Sequence, residues 1–400
     1  MDIEVRDLRD EDRRHVRRLR YRIFTADTFE ADDDEQYVDD DRRVVAVQGD
    51  RVVGHAGAWR FGQFFGGRQV PMAGVAGVVV EAHARGAGAA SSMLRRLGER
   101  VRDQGDVVAA LYPATLVPYR RLGWELAGEL PAHTLPTRSL LTIAAPGSPV
   151  SLRPGTAGDG PAMQARYLEV ARQRDGWLNP DPRYLAYNEA DEDDAGPEER
   201  WVAEREGELT GYVTYRRESV VGAAGSSNRL RVHELVATDV DTERALWRTL
   251  GASWTVWPTV AFRGGTAVSP LHLVQEDELA PDRDAWARWM LRILDVGGAF
   301  AARGYPGAPD VAVHLEVEDG WLPANDGRWV IAVADGVADA RRGGDGTVRI
   351  DIGALSSLYA GYTPAATWRR LGRLVSNDDT AVAALDALLR GPGPTCGHFF

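Results

Sequence analysis

The stretch Val78-Val79-Val80-Glu81-Ala82-His83-Ala84-Arg85-Gly86-Ala87-Gly88-Ala89-Ala90-Ser91 restricts the possible folds more than any other part of the chain. Three valines in a row read as a buried strand, and the glycines interrupt it. Ala89 to Gln104 has the composition of a helix, stopped by Gly105-Asp106, and Val107 to Tyr112 is the next strand. Strand, glycine loop, helix, strand is the order of an α/β unit. Such a loop leaves several backbone N–H groups unpaired and aimed at one point. Together with the helix dipole they form an anion site suited to a pyrophosphate. Gly86 and Gly88 remove the Cβ atoms that would keep phosphate oxygens away. A purely structural turn before a helix is a second reading. A dinucleotide fingerprint is a third and poorer one: Ser91 stands where its last glycine belongs, and the loop follows several strands instead of the first.

The flanking sequence extends the pattern. Ile3 to Arg6 alternates like a strand, and Asp10 to Phe24 reads as a helix that buries Val16, Leu19, Tyr21 and Ile23. Arg43 to Gln48 and Arg51 to Trp59 are strands joined by the turn Gly49-Asp50, with Gln69 to Val80 the strand that enters the loop. A Pro- and Gly-containing stretch from Ala144 to Gly160 marks a boundary. The same element order then returns: strands at Trp201 to Ala203, Gly211 to Arg216 and Arg229 to Thr238, and a helix at Asp241 to Ala252 capped by Asp239 or Asp241. No glycine occurs between Asp239 and Arg244, so a single cofactor site per chain is expected. From Ala285 the pattern is α+β: a strand from Trp286 to Leu294, a helix from Val296 to Arg303, and alternating runs at Val311 to Val317, Gly327 to Val333 and Thr347 to Ile352, completed by Ile352 to Ala360 and Ala365 to Leu374.

A chain of 400 residues is too long for one core, which agrees with this division. Its net charge of −12 repels phosphate backbones, argues against a nucleic-acid partner and favours cationic substrates. All 47 basic residues are arginine, so an enzyme that modified lysine amines could not modify itself. The one cysteine, Cys396, allows neither an intrachain disulfide nor a cysteine-based zinc site; no metal is expected. It also suits a reducing, cytoplasmic setting. No apolar run reaches the ~18 residues of a membrane helix, and the start Met1-Asp2-Ile3-Glu4-Val5 lacks the apolar core of a signal peptide.

Downstream of the loop, Tyr119-Arg120-Arg121-Leu122-Gly123-Trp124 follows the strand at Val107 to Leu111. A phenol there is a reasonable general acid for a departing thiolate, since the two groups have similar acidities. It could equally be an aromatic anchor on a short helix. Arg85-Gly86-Ala87-Gly88-Ala89-Ala90 after the valines, with Tyr-x-x-hydrophobic-Gly-aromatic downstream, resembles the signature of the GNAT acetyltransferases. The later stretches Glu234-Leu235-Val236-Ala237, Met290-Leu291-Arg292-Ile293, Ala302-Arg303-Gly304-Tyr305 and Leu355-Ser356-Ser357-Leu358-Tyr359 are similar to the enhanced intracellular survival (Eis) family within it.

That resemblance runs along the whole chain. It implies two tandem GNAT-like domains, at 1–148 and 149–284, the second without a cofactor site. A sterol-carrier-protein-like domain at 285–400 would follow, with a C-terminal tail reaching the first active site. It implies acetyl-CoA as cosubstrate, held by Val78, Val79, Val80, Arg85, Gly86, Ala87, Gly88, Ala89, Ala90, Ser91, Ala114 and Thr115. Tyr119 would be the general acid and the carboxylate of Phe400 the general base, with Phe399-Phe400 anchoring the tail. Without the resemblance, Gly391-Pro392-Gly393-Pro394 reads as the start of a disordered tail. Phe24 and Asp27 would line the pocket of a cationic amine: an aminoglycoside, polyamine, peptide or protein amine. Phe399 is apolar where the family's best-known member has an acid, which weighs against aminoglycosides. The family also implies a homohexamer. The alternative function is a non-catalytic acyl-CoA or lipid-binding protein.

Overall fold

The computed structural model describes residues 3–24, 38–185, 198–222, 225–264, 282–391 and 393–400. Asp27 and the acids from Asp32 to Glu35 lie outside the described residues. The first unit opens with strand β1 (Glu4–Asp7) and helix α1 (Arg13–Phe24). Val16 and Leu19 of α1 are buried, whereas Tyr21 and Ile23 stay half-exposed. An antiparallel meander follows: β2 (Arg43–Gln48), β3 (Arg51–Phe65) and β4 (Arg68–Val80). Helix α2 (Ala89–Asp103) covers it, burying Met93, Leu94, Leu97 and Val101 at the spacing of one helical face. Then come β5 (Val108–Leu111), the short helix α3 (Val117–Arg120) and β6 (Glu125–Pro136).

The second unit repeats this order. It contains β7 (Ser151–Pro154), α4 (Gly160–Ala171), the short β8 (Leu178–Asn179), β9 (Glu199–Arg205), β10 (Glu208–Gly222) and β11 (Gly225–Ala237). Helix α5 (Val240–Gly251) and β12 (Thr259–Arg263) close it. β13 (Asp282–Ile293) leads into α6 (Val296–Ala302) and the third unit: β14 (Val311–Glu318), β15 (Gly327–Ala334), β16 (Val337–Arg342), β17 (Val348–Asp351), α7 (Ile352–Tyr359), α8 (Ala365–Arg370), β18 (Leu374–Val375) and α9 (Asp379–Leu389).

The first two units share one sheet, in the order β1-β2-β3-β4-β5-β13-β6-β12-β11-β10-β9-β7. Its centre is an exchange. β5 of the first unit pairs with β13, which follows the second unit in the chain, while β12 of the second unit pairs with β6, which belongs to the first. β6 and β13 then pair with each other, antiparallel. Each half of the sheet is completed by a strand from the other half. The third unit has its own five-stranded sheet, β16-β15-β14-β17-β18. One apolar core joins Phe61 and Phe65 of β3 to Phe300 of α6 and Tyr359 of α7, so the third unit packs directly against the first. A buried ion pair, Arg292 to Asp319 at 2.6 Å, ties β13 to the loop after β14. No described helix is long and apolar enough to cross a membrane.

Candidate active site

β4 and β5 part company early. They pair in parallel only from Met72, Ala73 and Gly74 to Val108, Ala109 and Ala110. Beyond Gly74, β4 continues to Val80 supported by β3 alone. A bulge accompanies the divergence. His55 faces Val79 and Gly57 faces Ala76, so Gly77 and Val78 of β4 together oppose Ala56, one residue more than β3 supplies. The His55 ring nitrogen Nδ1 lies 2.9 Å from the Gly77 carbonyl, and burial keeps this imidazole neutral. Val79 points into the core, while Val78 and Val80 remain half-exposed beside the fork.

The glycine loop stands at the open end. Gly86 and Gly88 have φ of +84° and +83°, a region closed to most side chains, and the space a Cβ would enter at either is open. Gly88 occupies the cap position of α2, where no side chain accepts from the first turn. The N–H groups of Gly86, Ala87, Gly88, Ala89, Ala90 and Ser91 reach no backbone acceptor among the described residues. Arg85 folds back and donates from Nε to the Val80 carbonyl at 3.1 Å, which closes the loop behind this cradle. A concave row of donors at the start of a 15-residue helix, with no side chain inside it, fits a diphosphate group. Ala89 is buried under the loop, and Ala90 and Ser91 are half-buried; Ala114 and Thr115 lie exposed just past β5.

Tyr119 sits on α3, its ring 6.4 Å from Trp124 and packed against the cluster that contains Leu122. Its hydroxyl has no hydrogen-bond partner among the described residues, and burial raises its pKa.

The tail is built into the structure. Glu129 of β6 binds it twice, its N–H donating to the Pro394 carbonyl at 3.3 Å and its carbonyl accepting from Cys396 at 3.2 Å. The Thr395 N–H donates to the Asp175 carbonyl. Tyr112 and Tyr184 donate their hydroxyls to the carbonyls of His398 and Phe399, both at 2.9 Å. The Tyr167 hydroxyl lies 3.1 Å from His398 Nε2, and burial pushes that imidazole down to about 4. The tail therefore runs in the seam between the first two units.

Phe400 ends at the fork. A methyl group on Gly74, the last β4 residue paired with β5, would lie 3.3 Å from its ring. Phe61 and Tyr112 surround that ring at 5.3 and 5.4 Å, and Tyr184 packs on Phe61 and Trp59. The structure thus brings together the valines, the loop and the ring of Phe400 around one fork, with Tyr119 on the helix that follows β5. Phe24, at the end of α1, is 59% exposed and has no ring partner among the described residues. The aromatic cage of Trp59, Phe61, Tyr112 and Tyr184 was not anticipated. Trp59 and Phe61 alternate on one strand, a readable signal, but Tyr184 comes from another unit and has none.

The second unit has a matching fork. β11 pairs with β12 in parallel only from Arg229 to Val232, then continues to Ala237 supported by β10 alone, with a bulge at His233. Its helix start differs. The carboxylate of Asp239 accepts from the N–H of Asp241 and Thr242, both at 3.0 Å, and pairs with Arg205. The anion position at the head of α5 is filled by the protein's own anion.

Comparison with known proteins gives three family matches along the chain. Acetyltransferase (GNAT) domain models match residues 4–127 and 169–293, and a sterol carrier protein domain model matches residues 296–397. The chain is 30% identical to an uncharacterized N-acetyltransferase of Streptomyces coelicolor over 335 residues, covering 82% of this chain and 80% of the relative. Among solved structures it is similar to a GCN5-related N-acetyltransferase from Kribbella flavida, with a TM-score of 0.84 at 33% identity, covering 100% and 98% of the two chains. It shares the fold of Eis1 from Mycobacterium abscessus, with a TM-score of 0.80 at 24% identity and 100% of both chains covered.

Proposed function

The chain belongs to the GCN5-related N-acetyltransferases, and from that premise we propose that its first unit transfers an acetyl group from acetyl-CoA to a primary amine. The observation that carries this reading is the open donor cradle at Gly86 to Ser91, set at the mouth of the β4–β5 fork. Acetyl-CoA, when bound, supplies the acyl group and the thiolate leaving group. The cradle holds its diphosphate, and the exposed edge of Val78 to Val80 offers backbone groups to its arm. Ala114 and Thr115 border the same cleft.

Tyr119 keeps its proton at neutral pH because burial raises its pKa, and it hands that proton to the departing sulfur. The carboxylate of Phe400 takes the proton that the substrate ammonium must lose before its nitrogen can attack. The tyrosine bonds at His398 and Phe399 hold that carboxylate in a fixed place. No covalent enzyme intermediate is required. The substrate is a cationic amine, drawn from aminoglycosides, polyamines, peptides or proteins, and Phe24 at the end of α1 is the described residue assigned to its approach. The working form is a cytoplasmic homo-oligomer, a hexamer by likeness to the Eis family, and light scattering of the purified chain tests that state.

The test of the function is release of free thiol from acetyl-CoA with a panel of polyamines and aminoglycosides. The intact chain is expected to turn over, and a variant lacking Phe400 to lose most of its rate while keeping its melting temperature. Equal rates in the two would remove the carboxylate from the mechanism. Silence of the intact chain across the panel, with CoA bound, would instead favour an acyl-CoA-binding protein.

A further inference from the structure

The fork of the second unit opens into a cavity of about 1160 Å³. Its charge runs against that of the molecule. In a chain of net charge −12, the described lining carries six arginines, Arg174, Arg200, Arg216, Arg229, Arg231 and Arg263, against three glutamates, Glu198, Glu234 and Glu243. Part of the positive charge is answered. Arg229 and Arg231 share Glu218, which lies outside the lining, and Arg200 pairs with Glu198 at 3.5 Å.

Arg174 is different. Its guanidinium lies 5.2 Å from the Trp177 ring and makes no ion pair or side-chain hydrogen bond with a described carboxylate. Of the three glutamates, Glu243 is the one whose charge reaches Arg174, without an ion pair, and Glu234 is a weak counter-charge because burial pushes its pKa up to about 7. Flat rings form much of the rest of the wall: Trp177, Tyr212, Trp247 and Phe262. His398 and Phe399 form one edge, so an occupant would lie against the tail.

We propose that this cavity binds a small organic anion, whose carboxylate or phosphate head pairs with Arg174 and the arginines of β10 and β11 while its flat body packs on Trp177 and Phe262. Guanidinium forks suit both head groups, and ring walls exclude water from the pair. A second molecule of the coenzyme does not fit this chemistry, because Asp239 already fills the anion position of α5. The proposal is independent of the reaction assigned to the first unit.

The experiment is calorimetric titration of the full chain with phenyl phosphate and with phenylacetate, each in excess CoA so that the glycine loop is not the site being filled. Benzyl alcohol is the uncharged control. Saturable binding of at least one anion is expected, weakened about tenfold or more in Arg174→Gln with an unchanged melting curve. Tighter binding of phenyl phosphate would identify a phosphate ligand, and tighter binding of phenylacetate a carboxylate. If Arg174→Gln does not fold, Arg231→Gln gives the same reading. The proposal fails if neither anion binds saturably, if benzyl alcohol binds equally well, or if the folded variant binds as the parent does.

Discussion

The two forked units place the same elements around unlike chemistry. In the first, the helix after the long strand begins at Gly88, and its leading N–H groups face open space. In the second, the corresponding helix begins at Asp239, whose carboxylate occupies two of those groups. Asp241 extends the contrast by accepting from the N–H groups of Gly147 and Ser148. The backbone of a GNAT-like unit prepares an anion site wherever the strand–helix turn occurs. Whether a ligand can use it depends on whether the chain spends one of its own carboxylates there. The bulges differ in the same sense: the bulged pair is Gly77 and Val78 in the first unit, and the bulged residue is His233, next to the buried Glu234, in the second.

The hardest blow to this contrast comes from Tyr119→Phe. Removing this phenol hydroxyl, which has no hydrogen-bond partner among the described residues, is expected to lower kcat about 100-fold and to leave CoA affinity unchanged. An unaltered kcat would leave the first fork a binding site without a demonstrated acid. Next comes Gly88→Val, which puts a branched side chain at a φ of +83° in the donor cradle. CoA should bind about tenfold more weakly, read by calorimetry, and turnover at saturating CoA should largely recover.

The counterpart in the second unit is Asp239→Ala. Loss of the cap should cost about 1 kcal/mol, read as a lower denaturant midpoint, with CoA stoichiometry still one per chain. A stoichiometry of two would show that the capping carboxylate alone separates the units. The smallest effect concerns Glu234. Its folded pKa of about 7 lies above its ordinary value of 4.5, so the folded state holds the proton more tightly than the unfolded one. Stability from this group is complete below pH 4.5 and declines as the pH rises to 7. Glu234→Gln should therefore gain on the parent over that window, by about 1–3 °C in melting temperature, with a constant gap above it. A gap that did not change with pH would mean that Glu234 titrates normally.

Much of the first site was legible because its signals are local. The valines, Gly86, Gly88 and the helix from Ala89 are contiguous, and Asp239 was readable as a cap for the same reason. β6 carries no clear strand pattern, since Gly128 and Pro131 interrupt it, and the bulge between Asp284 and Ala287 of β13 lies opposite the proline. β12 is five residues long, and its partners lie in distant parts of the chain. Helix α9, with Val382, Leu385 and Leu389 buried, lacks the charged outer face that would have marked its period. The tail read as disordered on composition alone. Its order comes from tyrosines at 112, 167 and 184, residues that no local pattern connects to it.

The crossing of β6 and β13 also governs how such a chain is made. A ribosome delivers β5 long before β13, so the edge of β5 must wait through the synthesis of the whole second unit. During that interval the nascent chain exposes an unpaired strand edge, the surface by which partly folded proteins aggregate. β12 faces no such delay, because its partner β6 is already made when it emerges. The two halves thus have unequal histories: the second can close its sheet as it is synthesised, while the first stays open until the second is nearly done. A chaperone that masks the β5 edge would serve the first half alone, and cutting the gene between the halves would strand each without its closing strand.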